Sequence, residues 1–186
     1  MRKLKLQVQI SADGFVAGQG GEMEWMEWNW GEDVGNYITR IMQDVDTIVM
    51  GRKMAPGFIG HWESQLAANE SDESAKWMVN TPKIVFSKTI SQLDGKNITV
   101  NNYDLSATLN ALKKEPGGDI IAYGGAGFVS SLIKEGLIDE FHLLVNPAAI
   151  GKGLSIFGGL ESTQKLKLQS ATPFDCGIVA LFYTKN

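Results

Sequence analysis

The chain reads as an α/β protein: a three-layer fold whose mostly parallel mixed sheet of about eight strands carries helices on both faces and antiparallel strands at its C-terminal end. Three observations predict it. Short apolar runs alternate with helical periodicity through most of the 186 residues. Glycine-rich turns stand where strands hand over to helices, at Gly51 and at Gly124–Gly127. The last third carries strand patterns with no helix between them, which adds antiparallel strands.

Leu4, Leu6, Val8 and Ile10 alternate with Lys5, Gln7 and Gln9, the period of two that marks a strand. Val34, Ile38, Ile41, Met42 and Val45 recur at helical spacing and predict an amphipathic helix. Thr47–Met50 and Lys83–Ser87 are short apolar runs bounded by polar or glycine signals, as buried strands are, and Ile98–Val100 reads as another. Leu105, Leu109 and Leu112 mark a helix opened by Asp104 or Ser106 and stopped by Pro116-Gly117-Gly118. Asp119–Tyr123 is a strand running straight into Gly124-Gly125-Ala126-Gly127. The helix after it shows Phe128, Val129, Leu132 and Ile133 on one face and ends at Gly136. Strands over Asp139–Val145, Leu166–Ser170 and Ile178–Thr184 complete about eight strands and about four helices. With no repeat, linker or low-complexity tract, the expectation is a single domain over 1–186.

Composition narrows the partners. Seventeen Lys and Arg against 21 Asp and Glu give a net charge of −4, and Arg2, Arg40 and Arg52 do not cluster. Such a surface argues against nucleic acid and anionic membrane. No apolar run approaches the roughly 20 residues of a membrane span. One cysteine, Cys176, excludes an intramolecular disulfide and suits a reducing compartment, so a cytoplasmic protein is expected. Ile178, Val179, Leu181, Phe182 and Tyr183 populate both faces of the last strand. A strand apolar on both sides needs cover on both, and a homodimer would supply it.

The sharpest chemical feature is the turn Gly124-Gly125-Ala126-Gly127-Phe128. Glycines at a strand tip let a backbone approach an anion, and the free amides of the following helix can then bind it. Glycine-rich connections are also simply tight turns, and the spacing is not that of the G-x-G-x-x-G fingerprint. A second strand tip, Met50-Gly51-Arg52-Lys53, sets two cations beside a glycine, and a third, Ser87-Lys88, adds a hydroxyl and a cation. Together they can hold the two halves of a dinucleotide; singly, each cation reads as solvated surface. Ser11-Ala12-Asp13-Gly14 ends the first strand with a carboxylate that serves either a turn or proton transfer. Trp25, Trp28 and Trp30, interspersed with carboxylates, suit a flat heterocycle or a loop folded onto the core. Glu32 and Asp33 open the following helix, where the dipole favours acids. His61 and His142 lack neighbours at ligand spacing, so no metal is expected, and His142 reads as a satisfied packing residue.

As a set these pieces resemble the family that joins dihydrofolate reductase to the C-terminal domain of the bacterial bifunctional deaminase-reductase. The matching segments are Ser11–Ala17, Glu24-Trp25, Met50–Arg52, Val85–Ser87, Tyr123–Ala126, Leu137–Glu140, Asn146-Pro147, Gly151–Gly153 and Phe157. The resemblance implies a dihydrofolate-reductase-like fold and an NADPH-dependent reductase acting on a small planar heterocycle or carbonyl. It implies phosphate contacts from Gly51, Arg52 and Lys53, with Ser87 and Lys88 near the adenosine 2′-phosphate. Gly124, Gly125, Ala126, Gly127 and Phe128 would hold the pyrophosphate, Ala12 would lie beside the nicotinamide, and Asp13 on the substrate side; the catalytic acid is either Asp13 or an ordered water. The chain departs from the family's pattern at Met54, where threonine is frequent. It departs again at Gln7, Phe15 and Tyr123, where riboflavin-pathway reductases carry polar or charged groups. No arginine follows Arg52, which argues against tight folate binding. The competing class is a non-catalytic nucleotide-binding module.

Overall fold

Five parallel neighbour pairs and two antiparallel ones build a single eight-stranded sheet in the computed structural model, which describes residues 1–185. The elements in chain order are β1 (Leu4–Ser11), α1 (Glu32–Met42), β2 (Val45–Gly51), α2 (Ala55–Ala68), α3 (Glu73–Asn80), β3 (Lys83–Phe86), β4 (Ile98–Asn101), α4 (Leu105–Leu112), β5 (Asp119–Tyr123), α5 (Ala126–Lys134), β6 (Glu140–Asn146), β7 (Leu166–Pro173) and β8 (Val179–Lys185). Strands lie in the order β4-β3-β2-β5-β1-β6-β8-β7, with only β8 and β7 antiparallel to their neighbours. The C-terminal ends of the parallel strands therefore meet along one edge, where ligand crevices of open α/β sheets lie.

The described residues form five helices, where the sequence pattern gave about four. The segment the pattern left unassigned, between β2 and β3, holds both α2 and α3. Pro56 sits in the first turn of α2, where its missing amide costs nothing, and Gly57 and Gly60 interrupt its apolar spacing. The expected cap of α4 is realised: Asp104 accepts from the amide of Ala107 at 2.8 Å. Gly136, at φ +62°, ends α5 in the left-handed conformation that glycine adopts without penalty.

The sheet separates two cores. Leu4, Leu6, Ile120, Ala122 and Phe141 pack with Leu109 of α4 and Leu132 of α5 on one face. Ile48, Met50, Val85, Ile121 and Leu144 pack with Val34 and Ile41 of α1 and Ala55 and Ile59 of α2 on the other. Successive residues such as Ile120 and Ile121 thus serve opposite cores, as the pleat requires.

The polar stripe of β1 is not solvent-facing. Lys5 and Gln9 are buried on the α1 side of the sheet. Lys5 Nζ pairs with Asp119 Oδ2 at 3.0 Å and donates to the Ile41 carbonyl at 3.1 Å. The Gln9 side chain accepts from Asn146 Nδ2 at 3.1 Å. The opposite edge of the sheet, where the parallel strands begin, is held by ion pairs: Arg2 with Asp46, Lys3 with Glu140 at 2.6 Å, and Lys113 with Asp139 at 2.5 Å. His142 corrects the expectation of a satisfied histidine. Its Nδ1 bonds the Tyr37 hydroxyl at 2.9 Å and its ring stacks on Phe182, but the buried Nε2 has no hydrogen-bond partner among the described residues.

Candidate functional site

Two of the glycines singled out in the sequence, Gly51 and Gly124, meet around one aromatic ring. Phe128, in the first turn of α5, stacks on Phe86 at the end of β3, with centroids 5.8 Å apart. A Cβ on Gly51 would stand 2.7 Å from Phe128 Cβ, and one on Gly124 would stand 2.6 Å from Phe128 Cδ1. These glycines are therefore required by the ring that locks the tips of β2 and β5 to α5. Gly125 and Gly127 differ: a Cβ on either would meet nothing within 4 Å, so the backbone there is bare to an approaching ligand. Among the described residues the amides of Ala126 and Gly127 in the first turn of α5 have no backbone acceptor, while that of Phe128 donates to the Gly125 carbonyl at 3.1 Å, and Gly125, the N-cap, offers no side chain to satisfy them.

A cleft of about 500 Å³ opens on this side of the sheet, at the ends of β3 and β4. Phe86, Ser87, Lys88, Asn101, Tyr103 and Phe128 are among its walls. The Ser87 hydroxyl oxygen accepts from the amides of Thr89 and Ile90, both at 3.0 Å, which leaves its proton free to donate outward. Arg52 is half-buried, its amide bonded to the Phe86 carbonyl at 3.1 Å, and Lys53 is exposed; neither lines this cleft.

A second cleft, of about 640 Å³, opens on the opposite face against α1, α2 and α3. Gln7 of β1 and Tyr123 of β5 line it from the sheet, and Trp30, Phe58, Trp62 and Trp77 line it from the helices and the loop before α1. Of the tryptophan-rich loop, Trp30 faces this cleft and Trp28 stacks against it at 6.0 Å while remaining 61% exposed. The loop is tied to the sheet by Asn146, whose buried side chain accepts from the Glu27 amide at 2.8 Å. One turn contributes a wall residue to each cleft: Tyr123 lines the second, Gly124 and Gly125 follow, and Phe128 lines the first.

Asp13 and Ala12 lie at the tip of β1, both exposed. The amide of Ala12 donates to the Ala148 carbonyl at 2.7 Å. Asp13 accepts from the Ser11 hydroxyl at 2.6 Å and from the amides of Ile150 and Gly151, the latter at 2.7 Å. The Ser11 hydrogen bond, followed by those amides, holds its carboxyl below the usual carboxylate range. Through these bonds the Asp13 carboxylate clasps the 148–151 turn beside the β1 tip.

The RibD C-terminal domain family model matches residues 2–180. The chain belongs to this family. A relative, the uncharacterized protein YyaP of Bacillus subtilis (strain 168), is 32% identical over 189 residues, covering 100% of this chain and 96% of its own. Two solved structures share the fold. The deaminase/5-amino-6-(5-phosphoribosylamino)uracil reductase of Thermotoga maritima superposes with a TM-score of 0.70 at 15% identity, covering all of this chain and 57% of its own. Dihydrofolate reductase of Enterococcus faecalis, complexed with NADP(H), gives a TM-score of 0.62 at 14% identity, with 99% and 96% covered. The expected dihydrofolate-reductase-like fold is thus established for this RibD C-terminal domain. No helix among the described residues is long and apolar enough to cross a membrane.

The aromatic cleft was missed by sequence reasoning. Phe58 and Trp62, four apart, together with Trp77, are the signal that would have found it, once α2 and α3 were recognised.

Proposed function

We propose that the protein is an NADPH-dependent reductase that adds hydride to a small planar heterocyclic or carbonyl compound. The observation that carries this reading is the single turn, Tyr123–Phe128, shared by two clefts on opposite faces of the sheet. One cleft suits a dinucleotide and the other a flat ring. The dinucleotide fits the residues present: bare backbone at Gly125 and Gly127 can admit phosphates to the amides of Ala126 and Gly127. Lys88 and the free proton of Ser87 suit the adenosine phosphate, with Arg52 and Lys53 at the neighbouring strand tip. When bound, NADPH supplies the hydride from its nicotinamide. The chain's own part is to orient both ligands and exclude water, with Ala12 and Asp13 shaping the β1 tip. The proton that balances the hydride comes from Asp13 or from an ordered water at the β1 tip.

Family membership makes the pyrimidine reductase of riboflavin synthesis the reference reaction. Gln7 and Tyr123, two positions of departure from its pattern, both line the aromatic cleft. The competing reading, a nucleotide-binding module without turnover, predicts no oxidation of NADPH by any pterin, pyrimidine or small carbonyl. The reductase reading expects oxidation by at least one. It also expects calorimetry to find NADPH bound at least about tenfold more tightly than NADH, because a charge-assisted phosphate contact contributes roughly 1.5–3 kcal/mol. Equal affinities would remove Ser87 and Lys88 from the cofactor site.

A homodimer in the cytoplasm remains part of this proposal. Ala180 and Phe182 of β8 turn toward the α1 face, while Leu181 and Tyr183 pack against the other core and stay half-buried. Leu168 on the neighbouring edge strand β7 is 51% exposed. A second copy laid on this end of the sheet would cover them. Light scattering is expected to report twice the monomer mass of 20.3 kDa, and a monomer at micromolar concentration would contradict the dimer.

A further inference from the structure

We infer that the aromatic cleft selects an uncharged, phosphate-free planar heterocycle, and that Gln7 orients it through a lactam or imide edge. The inference rests on the reductase reading of that cleft and names its substrate class. Lys5, Gln7 and Gln9 form one stripe on the α1 side of β1. Lys5 is committed to Asp119 and the Ile41 carbonyl, and Gln9 to Asn146. Gln7, between them, makes no side-chain hydrogen bond among the described residues, and it alone of the three lines the cleft. A carboxamide presents one acceptor and a donor side by side, complementary to the N–H and C=O of a lactam or imide. Around it the walls are Trp30, Phe58, Trp62, Trp77 and Tyr123, which present flat apolar faces.

Charge is excluded by the same walls. No lysine or arginine among the described residues lines the cleft. Its one carboxylate, Glu73, stands at the rim with its side chain 84% exposed and pairs with Lys76 at 2.7 Å. A phosphate drawn into this space would lose water and gain no cation, and an unpaired buried charge is costly. A volume of about 640 Å³ accommodates a bicyclic or tricyclic ring.

Titration calorimetry with riboflavin, FMN and 3-methylriboflavin tests this on the full chain. The three share one ring system; FMN adds a phosphate and the methyl group blocks the imide N–H. Riboflavin is expected to bind at least about tenfold more tightly than either. Gln7→Leu should weaken riboflavin by about tenfold, leave 3-methylriboflavin unchanged, and leave NADPH affinity intact. Gln7→Lys should shift preference toward FMN, a gain that a misfolded variant cannot give. FMN bound as tightly as riboflavin, no riboflavin binding, or unchanged riboflavin affinity in Gln7→Leu would each overturn the inference. Riboflavin binding with this selectivity but no NADPH oxidation by any substrate tested would retain it and remove the reductase reading instead.

Discussion

Gly125→Val is expected to weaken NADPH binding by roughly a hundredfold or more while the protein stays folded, and Gly124→Val is expected to do the reverse damage, to the fold itself. The two residues are adjacent at the tip of β5, yet their surroundings differ. Gly125 has φ −67° and ψ 164°, extended backbone open to any residue, and a Cβ there meets nothing within 4 Å. Its replacement loses only the favourable glycine N-cap, about 1 kcal/mol, or about 2–4 °C in melting temperature for a chain of this size. Its methyl groups would occupy the space through which phosphates reach the α5 amides. A Cβ on Gly124 would stand 2.6 Å from Phe128, whose ring is itself held by Phe86. Overpacking of that kind costs about 3 kcal/mol, or about 6–12 °C. Scanning calorimetry and NADPH titration on both variants provide the check. Normal NADPH affinity in Gly125→Val would remove this turn from the cofactor site, and a wild-type melting temperature in Gly124→Val would show that Phe128 has room to move.

The second large effect is on acid stability. Glu140 is buried at the start of β6, beside His142 Nε2 at 3.7 Å and Lys3 Nζ at 2.6 Å. The His142 ring nitrogen, which faces the carboxylate from just beyond hydrogen-bond reach, and then the Lys3 ammonium hold its carboxyl down to about 2. A carboxylate depressed on folding contributes stability that is complete above its unfolded pKa of 4.5 and is lost as pH falls toward the folded value. The gap corresponds to about 3 kcal/mol. Denaturant titrations are expected to show wild type losing about that much more stability than Glu140→Gln between pH 6 and pH 2. At pH 7 the variant itself should be destabilised by about 3 kcal/mol, because Lys3 loses its partner and a buried site loses its charge balance. Parallel loss of stability in the two proteins across that range would show that Glu140 is no better held folded than unfolded.

The parts of the fold that could be read from the sequence are those fixed by local chemistry. The run of β5 into paired glycines, the Asp104 cap and the Gly136 stop all stand as expected, because their determinants lie within a few residues of one another. What was illegible depends on distant partners. The burial of Lys5 and Gln9 is decided by Asp119 and Asn146, more than a hundred residues away. Gly51 and Gly124 read as phosphate turns, yet their need for hydrogen at Cα comes from Phe128. The clasp of Asp13 on the amides of Ile150 and Gly151 likewise joins residues more than 130 positions apart. The aromatic cleft draws on β1, β5 and three helices, of which α2 was hidden from periodicity by its proline and glycines.

Three of the chain's five tryptophans, Trp30, Trp62 and Trp77, stand in the wall of a single cleft. Emission from indoles is sensitive to contact with a stacked ring, so the molecule carries its own optical reporter at the place where its substrate is expected to lie. An aromatic compound that enters there should dim the intrinsic fluorescence without any label. A collection of unphosphorylated heterocycles can then be screened by light alone, before a reaction is known.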